Sequence, residues 1–261
     1  TWSLVGSEMC IRDSISSITR SKSFRWFTWT YVTSEGELMK FNIISEPSYS
    51  LAEIKLNDGE SIVVEPGAMA WMDTTIKPKT EMKGGFFAGI KRKFAGESFF
   101  LNTYSAEGGS GTIGIAPGYS GDIIVKELNN ETLYMERGAY LCHVGNIETS
   151  PSWEGFAGTF AEGMLGLRVK GTGLLFFGSY GDIQEVDVNG SYTVDNGYAV
   201  AWEESLDYSI GRTGRSIRSF LFGDQLVCRY HGNGKLWIQT RSPRNLAAWV
   251  HPFRRVKSNN D

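Results

Sequence analysis

Apolar and polar residues alternate along most of this chain, and the alternation recurs in three similar stretches. Each stretch has a polar turn, an alternating segment, a glycine and then a second alternating segment. The stretches cover residues 56–71, 128–143 and 188–202, with their glycines at Gly67, Gly138 and Gly197. Alternation with a period of two puts apolar side chains on one face of an extended chain, so the pattern predicts strands.

A second phrase, rich in glycine, lies between these stretches. A short apolar segment enters a glycine turn and an alternating segment leaves it, at residues 108–111, 171–173 and 232–234. Glycine reaches positive φ without a steric clash, and glycine pairs of this kind are typical of tight hairpins. We therefore predict a β-hairpin at each of the three glycine turns.

Together the two phrases predict an all-β fold made of three modules. Module 1 covers residues 39–121, module 2 residues 122–181 and module 3 residues 182–250. Each module is expected to form a small β-sandwich or a roll resembling a double-stranded β-helix. A small sheet leaves its edges and one apolar face open, so we expect the modules to pack side by side.

Two segments depart from the strand pattern. Residues 151–164 predict a short helix or an irregular loop. Near the C-terminus, Pro243 is suited to the first turn of a helix, and the sequence predicts a short helix that ends near Val250.

Residues 1–38 share neither repeated phrase. Residues 4–13 resemble the translation of a sequencing adapter, and the segment up to Leu38 shows no sustained period. It also has no long aliphatic core or cleavage site of the kind found in targeting peptides. We therefore predict that translation begins at Met39 and that residues 1–38 are read-through of adapter and untranslated DNA.

The charge of the chain narrows the classes of partner. The 261 residues carry a formal net charge of −3, with a pI near 5.7. Because basic side chains supply most non-specific affinity for phosphate, this balance argues against a nucleic-acid binder. The basic polar tail at residues 251–261 is expected to be solvated. Cys142 and Cys228 lie in alternating apolar segments, so we expect buried thiols in a reducing compartment, the cytoplasm.

The residue pattern contains no catalytic or metal-binding signature. His143, His231 and His251 lie too far apart in the sequence to match the spacing of metal ligands. No serine elbow with triad partners is present. Glu203 and Glu204 are adjacent, which puts their carboxylates on opposite faces of a strand. We therefore expect a protein that is not an enzyme and uses no metal and no cofactor.

One loop combines aromatic and cationic residues. On an exposed loop these side chains would either enter a lipid interface or cover a contact with another subunit. The candidate contact residues are Phe86, Phe87, Ile90, Lys91, Arg92, Lys93 and Phe94.

Several phrases in this order resemble the altered-inheritance-of-mitochondria family, in its bacterial branch. The matching stretches are residues 64–69, 94–100, 121–123, 138–141 and 234–239. The resemblance implies a fold like that of the tryptophan RNA-binding attenuation protein and assembly as a homotrimer. The family has no established catalytic residues, so the resemblance implies none in this chain. The eukaryotic branch is linked to organisation of the mitochondrial inner membrane.

The function we expect is that of a non-enzymatic, homo-oligomeric scaffold or partner-binding β-protein. Assembly would hide sheet edges, which is a physical reason for it. Two alternatives stay open at this point. One is a small-ligand-binding protein with a pocket between modules. The other is a membrane-peripheral organiser that acts through the loop from Phe86 to Phe94.

Overall fold

The computed structural model describes residues 19–23, 26–32, 38–79, 93–94, 97–98, 101–152, 166–212 and 226–254. Strands dominate these residues, which confirms the predicted all-β fold. Two strands precede module 1, with bounds Thr19–Ser23 (β1) and Trp26–Val32 (β2). Whether residues 1–38 belong to the natural protein stays a prediction.

Module 1 consists of short strands. Their bounds are Leu38–Ile44 (β3), Leu51–Leu56 (β4), Ser61–Val64 (β5), Met69–Met72 (β6), Ile76–Pro78 (β7), Lys93–Phe94 (β8), Glu97–Ser98 (β9), Asn102–Ala106 (β10) and Gly111–Ile115 (β11).

Modules 2 and 3 consist mainly of longer strands. Those of module 2 are Ile123–Glu136 (β12), Tyr140–Ser152 (β13) and Gly166–Gly178 (β14). Those of module 3 are Ile183–Asp195 (β15), Ala199–Glu203 (β16), Leu206–Arg212 (β17) and Leu226–Gln239 (β18). Helix α1 (Pro243–Val250) follows and confirms the C-terminal helix predicted from the sequence. Residues 153–165, which include most of the other predicted helix or loop, lie outside the described residues.

Most of the strands form two large antiparallel sheets. The six-stranded sheet has the order β1-β2-β3-β4-β11-β6, and the ten-stranded sheet has the order β15-β18-β16-β12-β14-β13-β5-β10-β7. β17 also pairs with β18. In all three predicted modules the last strand lies between two others, in the orders β4-β11-β6, β12-β14-β13 and β15-β18-β16. The ten-stranded sheet runs through all three, and the division of the chain into repeated modules stays a prediction.

The hairpins predicted at the three glycine turns are wrong. β10 and β11, which flank the first turn, lie in different sheets and do not pair with each other. β14 runs unbroken through residues 171–173, and β18 does so through residues 232–234. Gly171 and Gly173 have φ angles of +148° and +150°, and backbone atoms of β13 pass too close for a side chain. The ladder between β13 and β14 nevertheless continues through both glycines. Glycine at this point lets neighbouring strands bend together instead of reversing the chain.

The alternating apolar residues form a core that crosses the module boundaries. Phe41 of β3 meets Phe176 of β14 edge to face, with ring centroids 5.4 Å apart. Phe177 of β14 meets Trp237 of β18 in the same way at 5.8 Å. All four rings are buried. Since aromatic rings contribute large buried areas, these contacts bind each module to its neighbour.

The starts of the three modules converge at one place. The backbone N–H of Ser50 donates to the carbonyl of Gly121 at 3.0 Å, and that of Asp122 donates to Gly181 at 3.0 Å. The hydroxyl of Ser50 also donates to Asp122 at 2.7 Å. These bonds hold the entries to all three modules together.

The bend in β14 predicts a difference between two glycine substitutions. We expect Gly171→Ala to destabilise the fold by at least about 2 kcal/mol, because alanine would take an unfavourable positive φ and overlap the backbone of β13. Gly138→Ala is the matched control, since a Cβ there meets no atom within 4 Å and φ is ordinary. Thermal unfolding should show a loss of roughly 5 °C for Gly171→Ala and little change for Gly138→Ala. Equal melting temperatures for the two variants would contradict this account of the bend.

Candidate interaction surfaces

Two seams join the modules within the chain. A seam is the pairing between the strand that follows the turn glycine of one module and the strand that precedes the turn glycine of the preceding module. Residues 142–143 of β13 lie opposite residues 63–64 of β5. Residues 201–203 of β16 lie opposite residues 133–135 of β12. Both pairings begin four residues after a turn glycine, so the two seams use equivalent positions.

The strand that follows each turn glycine has the same local irregularity. In β6, β13 and β16 a shift of register follows the turn glycine by two to four residues. The shift falls at residues 69–71, 140–142 and 199–201. A β-bulge of this kind re-aims a strand at a fixed position. The shared position therefore identifies β6 as the equivalent strand in module 1.

This strand is covered in modules 2 and 3 and open in module 1. Residues 140–143 and 199–202 are all buried, whereas residues 70–72 are exposed. Trp71 is 39% and Met72 is 38% exposed. β6 pairs with β11 on one side, and no strand of the described ranges pairs with its other side. β6 is thus an open sheet edge that carries two large apolar side chains.

The first strand of module 3 is a second open edge. β15 pairs with β18 along its whole length and has no further neighbour among the strands that the structure describes. Its residues 189–193 are exposed. With the register of the two seams, Val194 would face Trp71. In the same register, Thr193 would face Met72.

The seam between modules 1 and 2 buries a tyrosine–histidine pair. The hydroxyl of Tyr140 donates to the carbonyl of Val63 at 3.3 Å, and it lies within hydrogen-bond distance of Nδ1 of His143, at 2.7 Å. Both side chains are buried. Burial disfavours the charged imidazolium and lowers the pKa of His143 to about 4. The imidazole is therefore neutral at physiological pH.

Acidic side chains lie two residues before each turn glycine. Burial raises the pKa of Glu65 to about 7, and the Arg137 guanidinium partly offsets this effect. Burial likewise raises the pKa of Glu136, against the opposing charge of Arg244. In module 3 the equivalent residue is Asp195, whose carboxylate accepts a bond from the N–H of Gly197 at 2.9 Å. The sequence thus repeats an acid at a position that the seams partly bury.

The seam between modules 2 and 3 carries a charged network. The ammonium of Lys126 lies 3.2 Å from Glu131 and 3.7 Å from Glu203, and 5.6 Å from the centre of the Trp237 ring. The other carboxylate oxygen of Glu203 accepts from the backbone N–H of Lys235 at 2.9 Å. Positive and negative groups are paired here, so the network positions strands and leaves no concentrated charge for a ligand.

Helix α1 has no buried residue. Its apolar side chains Leu246, Trp249 and Val250 are 41%, 67% and 42% exposed, and Phe253 in the turn that follows is 75% exposed. The rings of Trp249 and Phe253 lie 5.6 Å apart. No helix within the described residues is long and apolar enough to cross a membrane.

Most residues that the sequence singled out serve the fold. The predicted burial of Cys142 and Cys228 is confirmed, and both thiols are free. His231 is exposed. Glu203 and Glu204 pair with different cations, the first with Lys126 at 3.7 Å and the second, which follows the end of β16, with Arg168 at 3.8 Å. Among the described residues no group of three His, Cys, Asp or Glu side chains is placed to hold a metal ion.

The aromatic and cationic loop falls largely outside the described residues, which leaves out five of its candidate contacts: Phe86, Phe87, Ile90, Lys91 and Arg92. The backbone of Lys93 and Phe94 forms β8, which pairs with β9 outside the two large sheets. The contact of this loop with lipid or with another subunit stays a prediction.

Comparison with known proteins agrees with this architecture. The family model described as "Mitochondrial biogenesis AIM24" matches residues 41–241. The chain belongs to the AIM24 family. This confirms the resemblance carried by the repeated phrases.

Two proteins from Streptococcus pyogenes are similar to this chain. An uncharacterised protein of Streptococcus pyogenes serotype M6 is 27% identical over 232 residues, which cover 85% of this chain and 93% of the relative. The crystal structure of protein SPYM3_0169 from Streptococcus pyogenes matches with a TM-score of 0.69 and 26% identity. That match covers 83% of this chain and all of the other.

Sequence reasoning missed both exposed surfaces of this AIM24 chain. Residues 69–72 are apolar like their buried equivalents, so no feature of the sequence marks β6 as an open edge. A usable signal did exist for α1. The apolar residues 246, 249, 250 and 253 follow the spacing of one helix face, and that spacing is legible without a structure.

The raised pKa of Glu65 predicts a pH-dependent effect on stability. An ordinary glutamate loses its proton near pH 4.5, whereas folded Glu65 does so near 7. The folded state therefore holds this proton more tightly, and the stability it contributes is lost as the pH rises through about 7. We therefore expect the difference in melting temperature between Glu65→Gln and the parent to shift in favour of the variant as the pH is raised from about 6.5 to about 8.5.

His143 affects stability at lower pH, because its pKa is about 4 in the folded state and its ordinary value is 6.5. Below about pH 6.5 the buried neutral His143 makes stability fall as the pH falls, which is opposite in sign to the effect of Glu65. Glu148→Gln, which changes an exposed glutamate of β13, is the matched control and should keep a constant difference from the parent. A constant difference for Glu65→Gln as well would show that Glu65 does not titrate in this range.

Proposed function

We propose that this AIM24 protein is a non-enzymatic scaffold whose copies assemble edge to edge. β6 of one copy pairs with β15 of the next and forms a third seam, with the register of the two seams inside the chain. One observation carries this proposal. Residues 70–72 are exposed, although their equivalents in modules 2 and 3 are buried.

The physical reason for assembly is the cost of leaving a strand edge open. An edge presents a row of backbone donors and acceptors that attracts any other extended chain. On β6 this row is bordered by the apolar side chains of Trp71 and Met72. Pairing with β15 satisfies the backbone groups and removes those side chains from water.

A contact between two different edges is head to tail, so it closes into a ring or continues as a filament. The family resemblance favours a closed ring of three copies with a fold like that of the tryptophan RNA-binding attenuation protein. A ring leaves neither edge free for aggregation. Its outer surface would then serve a protein partner.

We assign no catalytic role to this assembly and place it in the cytoplasm. Of the described cysteines and histidines, Cys142, Cys228 and His143 are buried, whereas His231 and His251 are exposed. Free buried thiols also fit a reducing compartment.

A cysteine pair tests the register of the third seam. In a chain with Cys10→Ser, we expect Met72→Cys combined with Thr193→Cys to form disulfides between copies under mild oxidation. Residues directly opposite each other on antiparallel strands are close enough for this bond. Denaturing electrophoresis without reductant should show a product of three times the 29.0 kDa chain mass.

The matched control combines Met72→Cys with Ser191→Cys, two residues along β15 and about 7 Å from the expected partner, and should link poorly. Light scattering on the parent should give the same mass as the linked product. A disulfide within one chain would mean that β6 and β15 close the ring inside a monomer. That result, or equal linking by the two pairs, would overturn the proposed assembly.

A further inference from the structure

Helix α1 attaches to the rest of the protein by its polar side. The amide of Asn245 donates to the hydroxyl of Tyr198 at 3.1 Å. The guanidinium of Arg244 is near enough to the Glu136 carboxylate to oppose the rise of its pKa. An ordinary surface helix instead turns its apolar stripe towards the core.

The apolar side of α1 consequently faces solvent. With 3.6 residues per turn, residues 246, 249, 250 and 253 fall within about 100° of arc. Their exposed fractions range from 41% to 75%. Trp249 and Phe253 are the most exposed of the four, and their neighbouring rings form one continuous apolar patch.

The charge around this patch is positive. Residues 241–254 contain Arg241, Arg244 and Arg254 and no acidic residue, whereas the whole chain has a net charge of −3. The three arginines are exposed. A concentration of cations beside an apolar stripe, on an otherwise acidic protein, calls for a partner that is both apolar and anionic.

We infer that α1 docks on the surface of a bilayer that contains anionic phospholipid. The helix would lie in the plane of the interface, with Trp249 and Phe253 at the depth of the headgroups and with Arg241 and Arg254 against lipid phosphates. A contact between the α1 helices of two copies fits less well, because it would bring the arginines of both copies together. This inference is independent of the proposed seam between β6 and β15.

Vesicle flotation of the full chain tests this docking. The probes are vesicles of phosphatidylcholine alone and of phosphatidylcholine mixed equally with phosphatidylglycerol. We expect the parent to float with the mixed vesicles and to be released by high salt, with weak binding to phosphatidylcholine alone. Trp249→Ser/Phe253→Ser should lose at least about tenfold in partition to the mixed vesicles.

Tyr49→Ser is the matched control, because Tyr49 is 73% exposed but lies outside α1. It should float like the parent. Since all three changed side chains are exposed, both variants should keep the parental melting temperature. Arg241→Gln/Arg254→Gln should weaken binding to the mixed vesicles and reduce its dependence on salt.

Three outcomes would overturn the inference. The parent would fail to float with mixed vesicles, or Trp249→Ser/Phe253→Ser would float as well as the parent. In the third outcome, light scattering without lipid would show that the same variant lowers the mass of the oligomer, which would make the patch a contact between copies. Cysteine linking through Met72 and Thr193 reports on the seam separately, so failure of one proposal leaves the other measurable.

Discussion

A strand at the edge of a sheet leaves backbone N–H and C=O groups without partners, and this constraint organises the whole AIM24 chain. Within each module, the strands that flank the turn glycine pair on one side only, as β12 and β13 do with β14, so their other sides are edges. The chain covers these edges by pairing one module with the preceding one. After two such seams, β6 and β15 each keep an open side, as β1, β7 and β17 also do within the described sheets, and the proposed assembly pairs β6 with β15.

The seams also explain where polar groups become buried. A turn glycine at each seam is preceded by an acid, and seam pairing brings the backbone N–H of Glu65 to 2.8 Å from the carbonyl of Leu141. Desolvation then works against the charged carboxylate, while the neutral His143 is favoured over its imidazolium. These perturbed groups are by-products of pairing strands of neighbouring modules within one sheet. Perturbed pKa values often mark functional sites, but structural pairings produce them too.

Period-two alternation was enough to predict the strands and the burial of Cys142 and Cys228, because it depends only on which face of a strand meets the core. The hairpins predicted at the glycine turns were wrong because a glycine with positive φ is compatible either with a reversal of the chain or with a bend within a strand. Neighbouring strands decide between these two outcomes, as β13 does at Gly171. The exposure of Trp71 could not be predicted from the sequence for a similar reason. It depends on whether another strand pairs with the open side of β6, and the residues of β6 do not determine that.

The central claim is that β6 of this AIM24 protein is the open half of a seam completed by another copy. Hydrogen exchange of residues 69–72, followed as protein concentration is raised, tests it most directly. We predict fast exchange of those amides that do not bond to β11 in dilute solution. Their protection should rise towards that of residues 140–143 and 199–202 as the oligomer forms. Protection that stays the same at every concentration, while the mass changes, would contradict the claim.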